Sequence, residues 1–155
     1  MKKLIMTAVI ATMISVTAFA DGGKKTIATG EESITYTVLA QFKSDFSTAS
    51  NVAWTVTSNC QKATFTENNI SYTAFYDLNN EYWGVSQDVA YTTLSESIKN
   101  KIAKNYKSYE VKDVTKFESK DGEEPVVYFV SLKKADDKIV LTIAPDNEIM
   151  NVEKN

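Results

Sequence analysis

Acidic and amide side chains repeat at one-residue intervals in Asp77-x-Asn79-x-Glu81, and Asp146-Asn147-Glu148 is a shorter version of the same cluster. Carboxylates at that spacing are the opening of a calcium loop. Such a loop also needs a glycine after its third ligand and a bidentate Glu at its twelfth position, where this chain has Asp88. Hairpin-turn chemistry therefore explains both clusters better, because Asp and Asn cap the backbone that follows them. Paired carboxylates for glycoside hydrolysis require a known separation, and no acid sits in an evidently apolar run that would raise its pKa. Ser131-x-x-Lys134 has the spacing of a Ser/Lys pair, but it reads as the end of a strand. The chain has no His and no Arg, and Cys60 is its one cysteine. Ser/Cys–His nucleophiles, His-based metal centres, arginine fingers and internal disulfides are thereby excluded. We expect no catalytic residues, no metal and no cofactor, and we read Cys60 as a small buried hydrophobe.

Residues 1–20 read as a secretory signal peptide. Lys2-Lys3 is followed by an apolar run from Leu4 to Val16, then by Ala18-Phe19-Ala20 before Asp21. The run is shorter than the ~20 residues of a membrane span. The expected location is periplasmic or secreted, with no membrane span after cleavage. The 155-residue chain carries 17 Lys against 20 acids. Losing residues 1–20 leaves 15 Lys and a net charge of −5. A chain of that charge, without arginine, is a poor nucleic-acid binder.

Residues 21–30 hold three of the five glycines and read as a flexible leader. Ile34, Val38, Leu39, Phe42 and Phe46 then follow helical spacing, with Glu31 and Glu32 at the expected helix start. From Ser50 the period falls to two. Val52/Trp54/Val56, Ala63/Phe65, Tyr72/Ala74/Tyr76 and Glu81–Val85 read as four strands joined by Ser58-Asn59, Asn68-Asn69 and Leu78-Asn79-Asn80 turns. A second helix follows at Leu94, Ile98 and Ile102, with Ser95 or Thr93 as its N-cap. Strands at Val111–Phe117, Val127–Leu132, Ile139–Ile143 and Ile149–Val152 complete the pattern, with turns at Lys120-Asp121-Gly122, Asp136-Asp137 and Pro145-Asp146-Asn147. The two halves overlay with Tyr76-Asp77 against Ala144-Pro145. The expected fold is α+β: two tandem α-β-β-β-β repeats, 31–90 and 91–153, forming one antiparallel sheet with both helices on one face.

The run Phe46-Ser47-Thr48-Ala49-Ser50-Asn51-Val52-Ala53-Trp54 after a helix, and the later Ala74-Phe75-Tyr76-Asp77-Leu78-Asn79-Asn80-Glu81-Tyr82-Trp83, resemble the bacterial secreted proteins called beta-lactamase-inhibitor-like, PepSY-like. The likeness covers residues 31–153. It departs from the family pattern where Asn80 replaces a turn glycine and where Thr93-Leu94-Ser95 lacks a proline. It implies a single exported, non-enzymatic domain of two α-β4 units. It transfers no catalytic or metal residue.

Alternation also gives the strands a second face. If Tyr72/Tyr76 and Tyr128/Val130 lie under the helices, then Phe75, Val127, Phe129 and one of the adjacent pair Tyr82/Trp83 line the other side. An exposed aromatic patch marks a binding surface. The expected function is an exported module that holds a protein or peptide on this helix-free face, as in inhibition of an envelope enzyme. The alternative is a structural envelope protein that forms a homodimer through the same face.

Overall fold

The computed structural model describes residues 26–120 and 126–154. The signal-peptide reading (1–20), the first half of the leader, the Asp121-Gly122 turn and Pro125 lie outside the described residues. Among the described residues the fold is α+β, a nine-stranded antiparallel sheet with two α-helices. The strands are β1 (Thr26–Thr29), β2 (Ser50–Thr57), β3 (Gln61–Glu67), β4 (Ile70–Tyr76), β5 (Tyr82–Asp88), β6 (Glu110–Ser119), β7 (Val126–Lys134), β8 (Asp137–Ile143) and β9 (Ile149–Lys154). They are hydrogen-bonded in chain order from β1 to β9. Helix α1 is Tyr36–Asp45 and helix α2 is Glu96–Asn105.

Three details differ from the expectations. Thr26–Thr29, inside the expected leader, forms edge strand β1, with Thr29 opposite Thr55 of β2. Glu31–Ser33 is a short 3-10 turn, and α1 begins only after Thr35, whose hydroxyl accepts from Val38 N at 3.4 Å. Of the two candidate caps of the second helix, Thr93 closes a 3-10 turn while the Ser95 hydroxyl accepts from Ile98 N at 3.3 Å. A threonine that disfavours helix interiors is well used at a cap, because its oxygen satisfies an orphan N–H of the first turn.

The described residues divide into two compact units, 26–87 with 118–120 and 88–117 with 126–154. In the N-terminal unit, Val38 and Phe42 lie four residues apart on α1 and pack with Ile34 on Trp54, Ala63, Phe65, Ala74 and Tyr76. Aromatic edges hold this core: Phe42 meets Trp54 at 5.1 Å and Phe65 at 5.2 Å between ring centroids. In the C-terminal unit, Ile98 and Ile102 of α2 pack with Leu94 on Val114, Val130, Leu132, Ile139, Leu141 and Ile143. One core is ring-rich and the other aliphatic.

Turn chemistry sets the hairpins. Asn68 and Asn69 both have positive φ, 52° and 62°, between the paired residues Glu67 and Ile70, which is what a two-residue hairpin loop demands. The β4–β5 turn closes with Asn80 N donating to Asp77 O at 3.2 Å, and the β8–β9 turn with Asn147 N donating to Ala144 O at 3.0 Å. Asp77 therefore matches Ala144, one residue away from the overlay with Pro145 that the sequence suggested. Asn80 matches Asn147; both have positive φ, 72° and 67°.

Candidate binding surface

Asp77 is used by its own turn. Its Oδ1 accepts from Asn79 N at 2.8 Å and from Glu81 N at 2.7 Å. Asp146 Oδ1 likewise accepts from Glu148 N at 3.0 Å. Among the described residues, no three acidic or Cys side chains converge as metal ligands. Cys60 is buried in the β2–β3 hairpin, where Thr57 Oγ1 donates to its carbonyl at 3.1 Å and accepts from its N–H at 3.1 Å.

The five residues expected on the helix-free strand faces do not form an open patch. In the N-terminal unit, Tyr72 and Tyr76 belong to the α1-side cluster. Phe75 has the opposite phase, between Lys62 on β3 and Gly84 on β5. Its expected exposure is overturned: Phe75 is only 3% exposed. Tyr82 packs against the α1-side cluster and Trp83 does not. A register shift at Phe75/Tyr76 sets Tyr82 opposite Tyr76, so Tyr82 packs at the α1 side, its ring 5.3 Å from that of Tyr76. Burial pushes the Tyr82 phenol well above its ordinary pKa, and Asp45 and Glu118 add to the effect. Trp83 is half-buried, and its carbonyl accepts from Lys120 N at 3.0 Å.

In the C-terminal unit, Tyr128 and Val130 lie on the α2 side. Val127 and Phe129 take the other phase, and they too are buried, at 5% and 3% exposure, against the expectation of an open patch. Phe129 is opposite Thr142, and Ser131 is opposite Val140. Val140, Thr142 and Phe117 are buried as well and stand outside the α2-side cluster. Thr142 Oγ1 has no hydrogen-bond partner among the described residues. Sequence reading missed these three. Val140 and Thr142 were legible from the alternation in Ile139-Val140-Leu141-Thr142-Ile143, where every residue but one is apolar and both phases are therefore hidden.

Among the described residues, the large apolar side chains that do remain exposed lie elsewhere: Tyr36, Leu78, Ile70, Val52 and Val152. Tyr36 follows the α1 cap and Leu78 sits in the β4–β5 turn. The two segments are joined where Thr35 Oγ1 donates to Asn80 Oδ1 at 2.9 Å. No helix of the described residues is long and apolar enough to cross a membrane.

No family model and no curated protein matches the chain. Solved structures do. A DUF2874 family protein from Bacteroides uniformis is 20% identical, with a TM-score of 0.69, over 78% of this chain and 89% of its own. A protein provisionally assigned to the periplasm of Bacteroides eggerthii is 16% identical, with a TM-score of 0.68, over 77% and 88%. A BLIP-like protein from Bacteroides fragilis is 13% identical, with a TM-score of 0.66, over 77% and 85%. At these identities the likeness is one of fold: the chain has the fold of DUF2874 and BLIP-like proteins of Bacteroides.

Proposed function

We propose that the chain is an exported, non-enzymatic binding module, built as two tandem α-β4 copies, that holds a protein or peptide segment through a surface around Trp83. The observation that carries this reading is Trp83, which stands outside the α1-side cluster and is only half-buried. Phe75, Val127, Phe129 and Val140 are as buried as the residues under the helices, so their area is already covered within the chain and offers a partner little. A partly exposed indole is an apolar anchor, and covering it is favourable at ~25 cal/mol per Å². Support for export comes from the signal-like residues 1–20 and from the fold neighbour assigned to the periplasm. Support for protein binding, with inhibition of an envelope enzyme as its sharpest form, comes from the BLIP-like neighbour.

The test is Trp83→Ser in the exported chain, with the buried Phe129→Ser and Val130→Ser as core controls. The expected result is loss of the partners captured from envelope extract with a urea midpoint far closer to wild type than the controls, whose midpoints collapse because truncating a buried Phe costs about 3–5 kcal/mol. Capture unchanged by Trp83→Ser, or destabilisation equal to that of the controls, would end the reading.

A further inference from the structure

Among the described residues, the last strand of the C-terminal unit, β9, has a strand neighbour on one side only. Its outer edge is not blunted by proline, and it presents Val152, 44% exposed, in the middle of the strand. Val152 N is satisfied locally: it donates to Asn151 Oδ1 at 2.9 Å. That bond places the N–H on the side away from β8, and in a β-strand the carbonyl of the same residue points with its N–H. Val152 therefore offers one donor and one acceptor outward, the pair that an antiparallel neighbour exchanges with the residue opposite.

We infer that β9 pairs antiparallel with β9 of a second copy, about a twofold axis at Val152. This assignment stands apart from the binding reading and uses the strand edge rather than the surface around Trp83. Pairing about that residue sets Val152 against Val152 of the copy. It sets Asn151 against Glu153 and Met150 against Lys154 of the copy. The segment is thus complementary to itself: apolar at the axis, amide facing carboxylate beside it, and no like charges opposed. Asn151 Nδ2 already bonds Glu153 Oε1 at 3.1 Å within the strand, so the same two groups exchange partners between copies. The Asn151–Val152 bond must open first, which makes the association reversible. The opposite edge, β1, is only four residues long, and pairing β9 to it would give open chains rather than a closed dimer.

The experiment is sedimentation equilibrium of the exported chain across a concentration series, with two variants. Wild type is expected to double its mass with concentration. Val152→Lys opposes two cations at the axis and should weaken the dimer at least about fivefold, with the thermal midpoint unchanged. Val152→Cys should cross-link to itself on oxidation, since directly opposed Cα atoms lie ~5.5 Å apart, within disulfide range. Asn151→Cys, off the axis, should not. A strict monomer, a dimer indifferent to Val152→Lys, open-ended polymers, or equal cross-linking at 151 and 152 would each overturn the assignment.

Discussion

Tyr76 is wholly buried, and its hydroxyl has no hydrogen-bond partner among the described residues. Its ring is well placed, 5.3 Å from Tyr82 and 6.1 Å from Trp54, so the ring belongs to the core and the oxygen alone is out of place. Tyr76→Phe keeps the ring and deletes that oxygen. An unsatisfied buried hydroxyl costs about 1–3 kcal/mol. The void left by one oxygen takes back only about 0.3 kcal/mol at the usual cavity coefficient. The variant should therefore be more stable by about 1–2 kcal/mol, and each kcal/mol raises the melting temperature by about 2–4 °C in a chain of this size. Urea unfolding followed by tryptophan fluorescence is the assay. The midpoint should rise with the slope unchanged, because the surface exposed on unfolding is the same. A fall in stability of ~1 kcal/mol would mean the hydroxyl is bonded in solution, and the reasoning would fail.

Thr142→Val applies the same logic to the C-terminal unit, where a nearly isosteric swap removes another unpartnered buried hydroxyl; the urea midpoint should hold or rise, and a clear drop would refute it. Ala135 has φ 52° in the two-residue β7–β8 loop, a conformation costing an L-residue about 1–2 kcal/mol, so Ala135→Gly should stabilise by about 0.5–1 kcal/mol after its added unfolded-state entropy. Ser95 caps α2 and donates to Asn147 Oδ1 at 2.6 Å; Ser95→Ala should cost about 1–2 kcal/mol, and a double-mutant cycle with Asn147→Ala should show clearly non-additive losses. Burial raises the Tyr76 phenol above its ordinary pKa, with Tyr82 and Asp45 contributing, so the unfolded chain ionises this group first as pH rises through ~10. Stability should be unaffected below that pH and fall above it, and Tyr76→Phe should move the onset of alkaline unfolding upward in circular dichroism.

Eight of the nine strands and both helices were legible because their signals are local. Alternation in Val52-Ala53-Trp54-Thr55-Val56 and the four-residue step from Ile98 to Ile102 need no knowledge of the rest of the chain. The start of α1 was misplaced because two acids at Glu31-Glu32 mimic a first turn, whereas the deciding group is the Thr35 hydroxyl. Strand β1 was hidden because glycine and lysine dominate its surroundings, and Thr26–Thr29 gains its order from pairing with β2. The candidate surface was half legible. Phase follows from parity, and Phe75 and Phe129 do oppose Tyr76 and Val130. Exposure does not follow from parity, because it depends on what lies over the face, and neighbouring residues carry no record of that.

The two units reach the same corner by different chemistry. In each, the hydroxyl that caps the helix also donates to an asparagine in the left-handed position of the last hairpin, Thr35 to Asn80 and Ser95 to Asn147. Asparagine suits this position twice over, tolerating positive φ and offering its amide oxygen, so glycine would supply the backbone but lose the tie. The supporting partner then diverges. Gln61 Nε2 donates to Asn80 Oδ1 at 3.2 Å and to Asp77 O at 3.0 Å. In the C-terminal unit Lys101 Nζ donates to Asn147 O at 2.9 Å and pairs with Glu148 at 3.0 Å. One support comes from a strand and is neutral; the other comes from a helix and is charged. What the halves hold in common is the bond between helix start and hairpin, because that bond fixes where the helix lies on its strands. How the bond is supported is free to vary, because either donor satisfies the turn.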